Sequence, residues 1–121
     1  MYQAYRDRVA FLFVYIHEAH GADEWQMPVN VTEGVVFDQP KSLPARQSVA
    51  GQCCTKLKLS MPCVVDDLDN KVDNLYAGWP ERMFVIDADG RIAYAGNQGP
   101  WGFMPDEVGS WLKNNVGRPK R

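Results

Sequence analysis

With 121 residues, 45% of them apolar, and a net charge of −2, the chain is one domain's worth of sequence with no overall basic field to draw nucleic acid. Its three cysteines are odd in number and follow no framework spacing, which suits a reducing compartment better than a secreted disulfide scaffold. No apolar run approaches the ~18 residues that span a bilayer, and Met1 opens no signal-peptide pattern, so the expectation is a soluble, cytoplasmic chain without a membrane partner.

In chain order, residues 2–8 read as the end of a short amphipathic helix. Residues 9–16 form a continuous apolar run rich in aromatic and β-branched side chains, the pattern of a parallel strand covered on both faces. Residues 21–42, with Pro28, Gly34 and Pro40, make an insertion long enough to suggest a functional loop. Ser42 is placed to cap a helix opening at Leu43, and Pro44 is tolerated in its first turn. Val49, Ala50, Cys53, Cys54 and Leu57 recur at helical spacing and define its expected buried face. Pro62 precedes "CVVDD", a short strand ending in carboxylates, and residues 69–76 allow one or two helical turns.

The stretch "RMFVIDADGRIAYAG" predicts a hairpin of two apolar strands joined across Asp89 and Gly90. Pro105 then opens a last helix, with Asp106 and Glu107 favourable to its dipole and Met104, Val108, Trp111, Leu112 and Val116 as its apolar stripe. The basic end "GRPKR" reads as a solvated tail. This order predicts one α/β domain over residues 1–121, its sheet partly parallel with an antiparallel edge.

One junction asks for chemistry. In "FLFVYIHEAHGADEW" a strand built for burial runs into His17, Glu18 and His20, followed by Trp25. The carboxyl ends of strands are where open α/β sheets bind ligands, and imidazole titrates near neutral pH, so His20 suits a proton donor. Glu18 can hold a ring nitrogen of a histidine or pass on a proton. A zinc site is the other use of His17, Glu18 and His20, but three ligands within four residues at a strand end cannot easily converge on one metal, so none is expected. The three cysteines read as poor redox groups. Cys53 and Cys54 point about 100° apart on a helix, and no thiol sits in a C-x-x-C arrangement at a helix N-terminus.

Two sets of residues carry a resemblance. "GWPERMFVIDADGRIAYAG" resembles the second half of a thioredoxin-like fold, with Pro80 at the place of a cis proline ahead of the hairpin. "VYIHEAHGADEW", "LYAGWPERMFVID" and "GPWGFMPDEV" are similar, in order and spacing, to the iodothyronine deiodinase family. The resemblance implies a thioredoxin-like α/β fold with flanking helices and a reductive, thiol-dependent loss of iodine from an aromatic ring. It implies His20, Glu18 and Tyr15 as a catalytic hydrogen-bond network. Arg82, Trp25 and Pro80 become the substrate-holding residues, with Arg82 able to meet a carboxylate with its planar fork.

The family nucleophile, a selenocysteine or cysteine between the first strand and first helix, has no counterpart here, so that strand and the start of that helix are expected to be missing. The chain as it stands is therefore expected to be inactive. Animal deiodinases also carry a histidine near the position of Pro40, so its role does not transfer. The expected partners are a small aromatic or thiol substrate and an external thiol reductant, with no cofactor. The place of the first strand, between residues 9–16 and the strand after Arg82, is expected to be closed by direct pairing of those two or by a homodimer completing the sheet. Two other functions compete: a non-catalytic binding domain that retains the pocket, and a general thiol oxidoreductase or peroxidase-like protein.

Overall fold

The computed structural model describes residues 1–18 and 40–118. Its elements are α1 (Tyr2–Tyr5), β1 (Phe13–Tyr15), α2 (Leu43–Lys56), β2 (Cys63–Val65), α3 (Lys71–Tyr76), β3 (Phe84–Ile86), β4 (Ile92–Ala95) and α4 (Pro105–Asn115). The mixed α/β class holds. Among the described residues the strands form two separate pairs, β1 with β2 in parallel and β3 with β4 antiparallel, where the sequence suggested one sheet. No described helix is long and apolar enough to cross a membrane.

The chain divides into two compact units, Met1–Phe11 with Ala77–Arg121, and Leu12–Tyr76. The first packs around Tyr5, Val108 and Leu112, with Val9, Phe11 and Val85 among the side chains against them. Leu112 is 1% exposed. Pro105 starts α4 as expected, and Asp106 and Glu107 occupy its first turn. Met104 is exposed because it precedes the first helical residue and so leaves the stripe. The helix ends by donating the Val116 and Gly117 N–H groups to Leu112 O, with Gly117 at φ 107°, where a side chain would be strained. The Tyr5 hydroxyl donates to Gly117 O at 3.0 Å, and Arg8 donates to Val116 O at 3.1 Å, so both chain ends of this unit are tied together.

The hairpin forms with a longer loop than a two-residue turn. Gly90 N donates to Asp87 O, Asp87 N donates to Arg91 O, and Gly90 lies at φ 85°, the three-residue pattern in which glycine supplies the left-handed position. The Asp87 carboxylate accepts from Arg91 N at 3.0 Å, and its pKa is lowered by a hydrogen bond with Asp89 and by that backbone bond.

In the second unit β1 is shorter than the apolar run 9–16. Val9 and Phe11 pack in the other unit's core, Phe11 edge-on to Tyr2 with centroids 5.5 Å apart, and β2 offers register partners only to Phe13, Val14 and Tyr15. Ser42 caps α2 as expected, its Oγ accepting from Ala45 N at 3.2 Å. The buried face of α2 differs from the apolar stripe: Arg46 and Ala50 are buried, Cys53 and Cys54 are half-buried, and Leu57 is exposed beyond the helix end.

Candidate functional site

Tyr15 is the last residue of β1 and is buried, 6% exposed. Its side chain falls on the inner face because β1 is locked in register with β2, Tyr15 O accepting from Asp66 N at 2.8 Å. From there its hydroxyl donates to Glu18 Oε2, three residues on, so the buried phenol anchors the carboxylate at the strand end. Burial pushes the Tyr15 phenol far up, and the hydrogen bond and charge of Glu18 push it further, while Arg46 pulls the other way. At neutral pH Tyr15 is a fixed donor.

Helix α2 supplies the surroundings. Arg46, 2% exposed, donates from Nη1 to Asp67 O at 2.7 Å and to Asp66 O at 3.3 Å, which pins α2 to the end of β2. Its Nε is buried with no partner. The Asp66 carboxylate accepts from Asp67 N, Val72 N and Asp73 N, each at 2.9 Å, and so caps the start of α3 from six residues upstream. The carboxylates that end "CVVDD" therefore serve the fold through Asp66.

Cys53 lies within electrostatic reach of the Tyr15–Glu18 pair. Burial raises its thiol pKa first, and the charges of Glu18 and Cys54 raise it further. The Cys54 thiol donates to Cys63 Sγ at 3.3 Å, and the Cys63 thiol is pushed up to about 11 by partial desolvation, by that bond and by charge at Cys54 and Cys53. Among the described residues, no three His, Cys, Asp or Glu side chains are grouped to hold a metal ion.

Of the residues expected at a site, Tyr15 and Glu18 are brought together. His20 and Trp25 lie outside the described residues. Pro80 and Arg82 belong to the first unit. Pro80 follows a cis peptide bond from Trp79, as expected, and a second cis bond joins Gly99 to Pro100. The Arg82 Nε donates to Gly96 O at 2.6 Å, and the guanidinium carbon lies 4.9 Å from the centre of the Phe84 ring. Part of this cation's work is to brace the hairpin. Trp79 and Trp101 are both exposed, Trp101 by 86%, so neither is a core residue. The first unit also has clefts of about 280 and 390 Å³, the larger between Arg8, Ile86 and Trp111, and neither includes Arg82.

Sequence reasoning missed Arg46, the Asp66 cap and the Cys54–Cys63 contact. For Arg46 there was a signal: a charged residue four positions before Ala50, on the helix's buried row.

This arrangement sits in a chain whose residues 1–116 match the family model described as iodothyronine deiodinase. The chain belongs to that family. It is 38% identical to a type I iodothyronine deiodinase of Xenopus laevis over 103 residues, 85% of this chain and 38% of the relative. It is 32% identical to a thyroxine 5-deiodinase of Bos taurus over 114 residues, covering 90% of this chain and 35% of the relative. With a type II iodothyronine deiodinase of Rattus norvegicus it shares 32% identity over 110 residues, 89% of this chain and 41% of the relative. The chain thus spans well under half the length of these relatives.

Proposed function

We propose that this deiodinase-family chain carries the proton-handling and substrate-holding side of a reductive dehalogenation site, in a thioredoxin-like arrangement. The observation that carries the reading is the buried Tyr15 hydroxyl fixing Glu18 at the end of β1, two residues ahead of His20. Held by Tyr15, the Glu18 carboxylate is placed to orient a histidine ring nitrogen, and His20 then delivers a proton to the ring carbon that loses iodine. Arg82, two residues after the cis Trp79–Pro80 bond, offers a planar fork to the substrate's carboxylate, and Trp25 a stacking face.

The reaction balances as follows. A chalcogen anion takes iodine as a formal cation, the aryl carbon takes the proton, and an external thiol then displaces iodide to leave a chalcogen–sulfur bond. A second thiol regenerates the nucleophile and departs as a disulfide. Neither Cys53 nor Cys63 suits the first step, because both thiols are held protonated at neutral pH, whereas the thiolate is the attacking form. The resemblance assigns the first step to a selenocysteine or cysteine other than these.

Iodide release from thyroxine with a thiol reductant tests this. The 121-residue chain alone is expected to release none. Release that disappears on Cys53→Ser or Cys63→Ser would overturn the assignment of roles and make that cysteine the nucleophile.

A further inference from the structure

We propose that Cys54 and Cys63 form a redox-active dithiol that exchanges with low-molecular-weight disulfides, a chemistry separate from dehalogenation. Cys54 lies in the last turn of α2 and Cys63 opens β2, so the short link over residues 57–62 turns the chain back and sets the helix end against the strand start. The two sulfurs are 3.3 Å apart and already in contact, where a disulfide holds them at about 2.0 Å. Cys63 is exposed and accessible to a reagent. Cys53 is the wrong neighbour. Adjacent helical residues diverge by about 100°, which turns Cys53 towards Tyr15 and Glu18 while Cys54 meets Cys63.

The step balances with a disulfide of the glutathione type as oxidant. The Cys63 thiolate attacks one reagent sulfur, the reagent's S–S bond breaks, and the departing thiolate takes up a proton. The Cys54 thiolate then attacks the Cys63 sulfur of the mixed disulfide and expels the second reagent thiol. Two electrons and two protons pass from the pair to the reagent, leaving a Cys54–Cys63 bond that a dithiol reductant reverses. Because the Cys63 thiol is pushed up to about 11, its thiolate is scarce at neutral pH. Exchange is then slow at neutrality and quickens about tenfold per pH unit as the thiolate fraction grows.

The purified 121-residue chain, incubated with oxidised glutathione at mildly alkaline pH, should lose two of its three free thiols, and peptide mapping without reductant should place the new bond between Cys54 and Cys63. Cys53→Ser should form the same bond. Cys54→Ser should stop at a persistent glutathione adduct on Cys63. Adducts on all three wild-type cysteines without a cross-link, a Cys53–Cys54 bond, or a Cys63 adduct equally persistent in wild type and Cys54→Ser would each overturn the proposal. Since the readout is thiol connectivity, it is independent of whether the protein dehalogenates anything.

Discussion

The first unit buries Tyr5, Val108 and Leu112 against one another, whereas the second buries Arg46, Asp66, Asp73 and the Tyr15 phenol beside Ala50. An apolar interior is held by area removed from water and tolerates inexact partners. A polar interior holds only if its groups are matched, and here the matching is specific: Tyr15 to Glu18, Asp66 to three backbone N–H groups, Arg46 to two carbonyls. Geometry fixed by directional bonds is what a reacting carboxylate needs. The contrast suits the proposed proton handling at the end of β1, while the first unit holds Pro80 and Arg82 on an apolar base.

Leu112→Ala removes the most buried side chain of the apolar core and should cost about 2–5 kcal/mol in denaturant unfolding. A loss below about 1 kcal/mol would mean that this unit is not held by its apolar contacts. In the polar unit, Asp66→Ala strips the acceptors from three N–H groups and should cost about 1–3 kcal/mol. It should also speed hydrogen exchange at Val72 and Asp73, and unchanged exchange there would remove Asp66 as the cap.

The smallest effect is at the hairpin. Asp87 has a lowered pKa, so its contribution is present at neutral pH and is lost as pH falls through the carboxylate range. Asp87→Asn should lower the neutral plateau of the thermal stability profile slightly and leave stability at the acid end unchanged, so that the acid limb becomes flatter. A steeper acid limb in the variant would reverse the sign assigned to this carboxylate.

What could be read from the sequence follows the same division. Ser42, Pro105 and the turn around Gly90 act on neighbours within a few residues, and each does what its position suggests. Pro80 is legible through resemblance, and its cis bond is present. The extent of β1 was not legible, because an apolar run does not say where its pairing starts: residues 9–11 belong to the first unit and only Phe13–Tyr15 pair. Arg46 meets carbonyls 20 and 21 residues away, and Cys54 meets Cys63 across a reversal of the chain. The place of Arg46 on the buried row of α2 is periodic, but the identity of such distant partners is not, so these pairings are visible only once the chain is folded.

The central claim is that the end of β1 handles the proton, and kinetics on a catalytically active form containing a selenocysteine or cysteine nucleophile test it most directly. His20→Ala should lower kcat for iodide release by roughly 10²-fold or more with KM little changed, as expected of a positioned general acid. Turnover that survives His20→Ala intact would contradict the account and leave Tyr15 and Glu18 as a structural pair.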